Sequence, residues 1–226
     1  MTNALNGSPA SRVAIITGGS RGVGGATVRR LAARGYVVVV NYLHDQRAAE
    51  LIVEAVLGGN GDAMAVRADV ADDLDVQRLF AETITAFGGV DVVVHTASGH
   101  FIATPVTQVS LDEFDALVRF NTRAAFVVSR EAARHLRNGG AIVNLSSSAE
   151  DSSLRSHGLY AATNAMTNVL TRALALELRE RDITVNVVSP AINRPCLPDR
   201  VTDAIAYLLS DHGHRITGQI LRVPPC

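Results

Sequence analysis

The sequence predicts an α/β fold in which helices cover both faces of a parallel β-sheet. Short β-branched runs alternate with helix-length periodic stretches from residue 12 onward, an order typical of doubly wound sheets. Runs such as VVVV and DVVVH are apolar at every position, as strands buried on both faces require. Because no Pro-rich or Ser-rich linker and no repeat interrupts this alternation, we expect a single domain over residues 12–226, preceded by a disordered polar tail over residues 1–11.

Each strand is predicted where a β-branched run is bounded by turn residues. The seven expected strands are Val13–Thr17, Tyr36–Asn41, Asp62–Ala68, Val90–Thr96, Ala141–Ser146, Ile183–Val188 and Gln219–Val223. Each helix is predicted where apolar residues recur at helical spacing. The six expected helices are Val23–Arg34, Asp45–Leu57, Asp72–Phe87, Ser110–Arg137, Leu159–Arg181 and Arg200–Leu209.

Composition and charge exclude several classes of protein. With 47% hydrophobic and 19% charged residues, the chain is too apolar to be disordered. A formal net charge of −1 provides no basic surface for a nucleic acid backbone, so no nucleic acid partner is expected. All 21 basic residues are arginine, and the absence of lysine excludes Schiff-base chemistry and a lysine general base.

Membrane, disulfide and metal chemistry are also not expected. The longest apolar run, Tyr36–Val40, is far shorter than the roughly 20 residues that span a bilayer. Cys196 and Cys226 are expected to remain free thiols, which fits a cytoplasmic location. His212 and His214 lie close together without a third ligand in view, so no metal site is predicted.

The most informative motif follows the first predicted strand. Thr17-Gly18-Gly19-Ser20-Arg21-Gly22-Val23-Gly24 leads directly into a predicted helix. Glycines at such a turn let the backbone approach a pyrophosphate, which the N-terminal amides of the helix would bind. We therefore predict a nucleotide site here, with a purely structural turn as the alternative.

The spacing T-G-x-x-x-G-x-G resembles that of the short-chain dehydrogenase/reductase family, which has a single Rossmann-like doubly wound domain. The resemblance extends over about residues 12–223. It implies that an oxidoreductase cofactor is bound by Thr17, Gly18, Ser20, Arg21, Gly22, Val23 and Gly24. It also implies that Asp69 and Val70 contact adenine, with a simple cap or turn as the alternative for Asp69, and that the cofactor passes Ala97, the one residue retained from the family's Asn-Asn-Ala-Gly.

The end of the second predicted strand favours NADP(H) as cofactor, with NAD(H) as the alternative. This strand ends in Asn41-Tyr42-Leu43-His44, without a carboxylate for the adenosine ribose, and Asn41 is included among the cofactor-binding residues. Arg21 can instead bind a 2′-phosphate. Asp45 is a competing ribose ligand, although its position before a predicted helix favours N-capping.

Four residues match the family's catalytic positions. The resemblance assigns these roles to Asn121, Ser147 and Tyr160, and Ser147 precedes Tyr160 by the family's spacing of 13 residues. Ser146 and Ser148 are the register alternatives. Asn164 occupies the position of the family's lysine, four residues after Tyr160 and on the same helix face.

Three histidines near these positions have two interpretations each. His95 and His100 follow the fourth predicted strand, where each either faces a ligand or is structural. His157 precedes Tyr160 by one helical turn, where it is either a substitute proton carrier or an exposed residue at the helix start.

The missing ammonium group affects the two reaction directions differently. In the family it lowers the pKa of the tyrosine, whereas an unperturbed tyrosine with a pKa of about 10 is ionised in roughly one molecule in a thousand at pH 7. Alcohol oxidation needs the tyrosinate, but carbonyl reduction needs only the neutral phenol. We therefore expect an NADP(H)-dependent reductase of a small-molecule carbonyl, with impaired or altered catalysis. The alternatives are a non-redox isomerase, dehydratase or cyclase, and a catalytically silent nucleotide-binding subunit.

The region after the sixth predicted strand bears on the substrate. Ser189-Pro190-Ala191 leads into a segment, ending near Thr202, that is shorter than the substrate-covering loop of the family. A shortened loop predicts an open pocket. The family resemblance also implies a homodimer or homotetramer that pairs through its long helices.

Overall fold

The structure is a computed structural model that describes residues 11–97, 103–147, 156–191 and 198–224. Its strands are β1 (Val13–Thr17), β2 (Val37–Tyr42), β3 (Ala63–Arg67), β4 (Val90–His95), β5 (Leu136–Leu145), β6 (Thr184–Pro190) and β7 (Ile220–Val223). They form one sheet with the order β3-β2-β1-β4-β5-β6-β7, and every neighbouring pair is parallel. The predicted doubly wound, seven-stranded parallel sheet is therefore confirmed.

Helices lie on both faces of this sheet. They are α1 (Gly22–Ala32), α2 (Gln46–Gly58), α3 (Asp73–Phe87), α4 (Leu111–Leu117), α5 (Ala124–His135), α6 (Gly158–Glu177) and α7 (Pro198–Leu208). Helices α1, α2 and α7 pack on the face that includes Ala14 and Ile16, whereas α3, α5 and α6 pack on the face that includes Ile15. Successive residues of β1 thus enter two different cores, which explains why the strands are apolar at every position.

The predicted helix Ser110–Arg137 is wrong in two respects. A π-helical segment, Val118–Arg123, separates α4 from α5, and α5 ends at His135. Leu136 already belongs to β5, where it pairs with Val90 and is 2% exposed. Burial of Leu136 against the sheet therefore ends the helix, so β5 begins five residues before the predicted Ala141.

The predicted helix Leu159–Arg181 also ends early. Helix α6 stops at Glu177, and a 3₁₀ turn follows over Arg179–Arg181. Asp182, with a φ of +54°, then adopts the left-handed conformation that directs the chain into β6. The other predicted bounds either agree with the observed ones or differ from them by one or two residues.

The topology places the candidate site at one edge of the sheet. From β1 the chain proceeds outward to β2 and β3, and then crosses back to form β4 on the other side of β1. In such sheets a crevice forms beyond the carboxyl ends of the strands on either side of this switch point. Among the described residues, no helix is long and apolar enough to span a bilayer.

Candidate active site

A cavity of 480 Å³ lies beyond the carboxyl ends of the central strands. Its walls come from the turn after β1, the ends of β2 and β3, the residues after β4, the π-helical segment and the end of β5. The lining residues are Gly18, Ser20, Arg21, Val23, Gly24, Asn41, Tyr42, Leu43, His44, Asp45, Ala68, Asp69, Val70, Thr96, Ala97, Phe120 and Leu145.

The glycine turn is built so tightly that side chains are excluded from it. Gly18 has a φ of +62°, and a Cβ there would lie 3.2 Å from the backbone of Ala97. A Cβ on Gly24 would lie 2.2 Å from the carbonyl oxygen of Gly18. Gly22, with a φ of +55°, starts α1 in the left-handed conformation. These glycines let the helix begin directly against the end of β1.

The N-terminus of α1 has the features of an anion site. Arg21 is its N-cap residue and makes no side-chain capping hydrogen bond. The first turn contains no acidic residue. The first N–H groups of a helix have no partner within the helix and carry partial positive charge. Phosphate groups placed in the adjoining cavity would therefore meet unopposed backbone donors.

The side chains of Thr17 and His95 join the start of the glycine turn to the end of β4. The Thr17 hydroxyl lies 2.8 Å from His95 Nδ1 and also accepts hydrogen bonds from the N–H groups of Thr96 and Ala97. The Thr17 proton is therefore donated to Nδ1, so this nitrogen must be unprotonated. Burial lowers the pKa of His95 from 6.5 to about 4, which keeps the ring neutral. Of its two interpretations, the structure favours the structural one.

Asn41 ties the glycine turn to the end of β3. Its Oδ1 accepts the Gly18 N–H at 3.3 Å, and its Nδ2 donates to the Ala68 carbonyl at 3.0 Å. The side chain is 2% exposed, so both ends of the carboxamide serve the wall of the cavity. Asn41 shapes the cavity by fixing the backbone on which ligands would rest.

The two acidic residues of the cavity are both engaged by the protein. Asp45 is the N-cap residue of α2, where its Oδ1 accepts the Ala48 N–H at 3.0 Å. Asp69 accepts the Ala71 N–H at 2.9 Å and forms an ion pair with Arg119. Both carboxylates thus have structural duties in addition to lining the cavity.

The candidate catalytic residues meet between the π-helical segment, the end of β5 and α6. Asn121 is 6% exposed, and its Nδ2 donates to Thr163 Oγ1 at 3.0 Å. The Thr163 hydroxyl donates to the Tyr160 carbonyl at 2.9 Å. Asn164 Nδ2 donates to the same carbonyl at 2.9 Å. Asn121 and Asn164 are therefore connected through the first turns of α6.

Two neutral side chains, Ser147 and Asn164, influence the protonation of the Tyr160 hydroxyl. Burial raises the pKa of Tyr160 above its ordinary value, and hydrogen bonds with Ser147 and Asn164 partly offset this rise. Ser147 is 4% exposed and Asn164 is 7% exposed. Because the pKa is raised, Tyr160 is a protonated phenol at neutral pH and can donate a proton or a hydrogen bond.

Comparison with known proteins assigns the family. The family model for short chain dehydrogenases matches residues 12–201 of the chain. The chain belongs to the short-chain dehydrogenase/reductase family. A dehydrogenase/reductase from Sinorhizobium meliloti 1021 superposes on the fold described above with a TM-score of 0.90 and 32% identity, covering 96% of this chain and 95% of that chain.

Individual members are similar over most of their length. Versicolorin reductase 1 of Aspergillus parasiticus is 33% identical over 252 residues, covering 94% of this chain and 94% of that protein. The hydroxynaphthalene reductase-like protein Arp2 of Metarhizium majus is 39% identical over 184 residues, covering 81% of this chain and 68% of that protein. A short chain dehydrogenase from Burkholderia cenocepacia J2315, solved in complex with NADP, is 32% identical with a TM-score of 0.88 and covers 96% of this chain and 98% of that chain.

Most of the residues predicted to bind a cofactor in this short-chain dehydrogenase/reductase line the cavity, and two do not. Thr17 has its hydroxyl turned inward to His95, and Gly22 contributes only the left-handed turn. The four predicted catalytic residues lie close together, as the contacts among Asn121, Thr163 and Tyr160 and the pKa effects of Ser147 and Asn164 indicate.

Several lining residues were not predicted to bind a cofactor, and Asp45 was predicted only as a competing ribose ligand. The residues without a predicted role are Tyr42, Leu43, His44, Ala68, Thr96, Phe120 and Leu145. Phe120 precedes the predicted catalytic Asn121 directly, and the π-helical turn that brings it to the cavity has no simple sequence pattern. Of the alternatives, Ser146 lies beside Ser147 at the end of β5, and His157 is the N-cap residue of α6. Ser148, His100, Cys196 and Cys226 lie outside the described residues.

Proposed function

We propose that this chain is an NADP(H)-dependent reductase of a small-molecule carbonyl compound. The observation that supports it most directly is a half-buried Tyr160 with a raised pKa, close to Ser147 and next to a glycine-walled cavity. Leu145, which lines that cavity, is only two residues from Ser147. A bound nucleotide and a proton donor would therefore be neighbours.

The cavity offers a place for a dinucleotide phosphate. The backbone of the turn is packed so closely that neither Gly18 nor Gly24 has room for a Cβ, which leaves backbone rather than side chains at this wall. The pyrophosphate would bind the N-terminal N–H groups of α1, and the adenosine would extend toward the ends of β2 and β3. NADPH, when bound, supplies the hydride. The nicotinamide end would then lie on the β4 and β5 side, where Ser147 and Tyr160 are found.

Two residues of the cavity wall favour NADP(H) over NAD(H). Arg21 is exposed and lines the cavity, where it can bind a 2′-phosphate. Asp45, the nearby carboxylate, is occupied by capping α2 and would repel such a phosphate less than a free carboxylate at the strand tip. The related protein from Burkholderia cenocepacia was solved with NADP.

Tyr160 would supply the proton. Ser147 and the Tyr160 hydroxyl would hold the carbonyl oxygen, and Tyr160 would protonate it as the carbonyl carbon accepts the hydride. Tyrosinate formed in this step must recover a proton from solvent. The contact between Asn121 and Thr163 fixes the backbone around the Tyr160 carbonyl and would support a water-mediated route.

Asn164 at the position of the family's lysine should alter this catalysis. Its carboxamide contacts Tyr160 without contributing a positive charge. Alcohol oxidation, which requires the tyrosinate, is therefore expected to be slow, and carbonyl reduction is the favoured direction.

The substrate site should be open. Residues 191–197 alone connect β6 to α7. The alignment with versicolorin reductase 1 extends over 252 positions, more than the 226 residues of this chain, so that relative has segments missing here. A shortened substrate loop would admit a bulky carbonyl compound, and the names of the two relatives suggest versicolorin and hydroxynaphthalene derivatives as first candidates.

The test is NADPH oxidation against a panel of carbonyl compounds that includes versicolorin and hydroxynaphthalene derivatives. Tyr160→Phe should lower the turnover by about 100-fold or more, because it removes the proton donor, without changing the NADPH affinity measured by calorimetry. Tyr207→Phe, at an exposed tyrosine of α7, is the matched control. Equal turnover in the wild type and Tyr160→Phe would contradict the proposal. Turnover without any nicotinamide nucleotide would support the non-redox alternative.

A further inference from the structure

The adenine end of the cavity contains an ion pair that changes how the base can be recognised. Asp69 follows β3 and lines the cavity, and its side chain is 22% exposed. One carboxylate oxygen, Oδ1, accepts the Ala71 N–H at 2.9 Å. The other, Oδ2, lies 2.5 Å from Nη2 of Arg119. Both oxygens of the carboxylate are thus engaged before any nucleotide binds.

The arginine also alters the charge that a base would meet. A purine 6-amino group is a donor, and its best partner at this place would be a free carboxylate. Here the donor would have to share an oxygen with a guanidinium whose positive charge repels it. Arg119 is 46% exposed and has five N–H groups, so it can accommodate a 6-oxo group, an acceptor, equally well.

The same segment supplies an apolar surface for the base. Arg119 binds Asp69, and Arg123 Nε donates to the Ala71 carbonyl at 2.7 Å. These two contacts hold the π-helical segment against the loop after β3 on both sides of Val70. Phe120, next to Arg119 on this segment, lines the cavity together with Val70 and is 41% exposed. An aromatic ring and a branched side chain are thus presented to the same end of the cavity.

We propose that Arg119 withdraws Asp69 from recognition of the adenine 6-amino group, so that the base is held mainly by apolar contact with Phe120 and Val70. This inference rests on the proposed binding of NADP(H). The chain should therefore discriminate weakly between adenine and hypoxanthine in its cofactor, because stacking and apolar contact depend little on the 6-substituent.

The test is calorimetric titration with NADPH and with its hypoxanthine analogue, in which a 6-oxo group replaces the 6-amino group. The wild type should bind the two with affinities within about twofold of each other, since no specific hydrogen bond distinguishes them. Phe120→Ala should weaken both by about tenfold, as expected for a lost stacking surface. Phe114→Ala, at an exposed phenylalanine of α4 that does not line the cavity, should leave both unchanged.

Variants of the arginine test the role of the ion pair. Arg119→Gln should release the Asp69 carboxylate and create a preference for NADPH of about tenfold, the size expected for a hydrogen bond to a charged group. Arg119→Lys keeps the cation and should retain equal affinities. Arg30→Gln, which removes an exposed ion pair between α1 and Asp203, is the control for the loss of an arginine.

The outcomes separate the inference from the proposed function. A wild type that binds NADPH tenfold more tightly than the analogue, or a Phe120→Ala variant with unchanged affinities, would overturn the inference and leave the proposed function intact. If neither dinucleotide binds to the wild type, both the proposed function and the inference fail.

Discussion

The glycine turn and the Tyr160 cluster form the two halves of the candidate site, and they are built in different ways. The turn depends on the absence of side-chain atoms: a Cβ at Gly24 would lie 2.2 Å from a backbone oxygen. The Tyr160 cluster depends on the identity of side chains, because burial raises the pKa of the phenol and hydrogen bonds with Ser147 and Asn164 oppose that rise. Backbone geometry therefore determines the shape of the glycine turn, whereas side-chain chemistry determines the reactivity of the Tyr160 cluster.

This difference shows how a family member can change its activity while keeping its fold. A side chain added at Gly24 has to move the backbone, and a moved backbone affects both the nucleotide and the start of α1. At position 164, by contrast, a carboxamide fits beside Tyr160 and donates to its carbonyl. Gly18 and Gly24 are therefore expected to tolerate almost no substitution. Position 164 in the Tyr160 cluster, by contrast, can have either a charged or a neutral side chain.

The largest effect is expected for Gly24→Ala. The added methyl group would collide with the Gly18 carbonyl and with Thr96 Oγ1, and neither is the end of a long flexible side chain. The turn must then shift, and we expect the NADPH affinity to fall by at least about 100-fold. Calorimetric titration measures this loss, and circular dichroism checks that the variant is folded.

Gly58→Ala is the matched control for this substitution. Gly58 ends α2, and a Cβ there would have no neighbour within 4 Å. It should bind NADPH as the wild type does and gain up to about 1 kcal/mol of stability from the better helix propensity of alanine. Comparable loss of affinity in both variants would mean that the space at Gly24 has no special role.

The buried His95 under the turn gives the next effect, on stability. Its pKa is lowered by burial from 6.5 to about 4, so the unfolded chain binds more protons than the folded chain between these values. The contribution of His95 to the free energy of unfolding should therefore be at its highest above pH 6.5. It should decrease by about 3 kcal/mol as the pH falls to 4. Urea unfolding at a series of pH values measures how steeply the free energy of unfolding changes with pH.

His95→Asn should flatten the slope between pH 6.5 and 4, because asparagine does not titrate and can still accept a hydrogen bond from Thr17. His212→Asn, at an exposed turn, should keep the wild-type slope. An unchanged slope in His95→Asn would assign the acid sensitivity to other groups.

The fold and the turn were predictable from the sequence because local patterns determine them. Alternating apolar runs fixed the number of strands, and the glycines stand directly between β1 and α1. The early start of β5 at Leu136 was not predictable, since it depends on pairing with Val90, which is distant in sequence. Periodicity continues through this residue and favours a longer helix.

The grouping of candidate site residues was predictable where a spacing rule exists. The interval of 13 residues between Ser147 and Tyr160 joined two residues that lie near each other in the structure, and their catalytic roles stay predictions. No such interval links Arg119 to Asp69, which come from the π-helical segment and the loop after β3. The inward orientation of the Thr17 hydroxyl likewise depends on a histidine from another strand.

The Tyr160 cluster can be tested by restoring a positive charge. Asn164→Lys should lower the pKa of Tyr160, and each unit of lowering increases the tyrosinate fraction at neutral pH about tenfold. Alcohol oxidation with NADP⁺ should rise by about tenfold, with its pH profile shifted toward lower pH, while carbonyl reduction changes less. Asn164→Gln, which lengthens the side chain without adding charge, is the control. No gain in Asn164→Lys would favour the catalytically silent alternative.

The smallest effect concerns Arg21, whose side chain in the turn is exposed and lines the cavity. It is exposed and caps α1 without a side-chain hydrogen bond. Removing its charge in Arg21→Gln should weaken NADPH binding by about fivefold, the range of an exposed charge pair, and leave NADH binding unchanged. Arg29→Gln, in the last turn of the same helix, controls for net charge. If both nucleotides lose affinity equally, Arg21 acts on the pyrophosphate rather than on the 2′-phosphate. The preference for NADP(H) would then have to come from the end of β2, where His44 also lines the cavity.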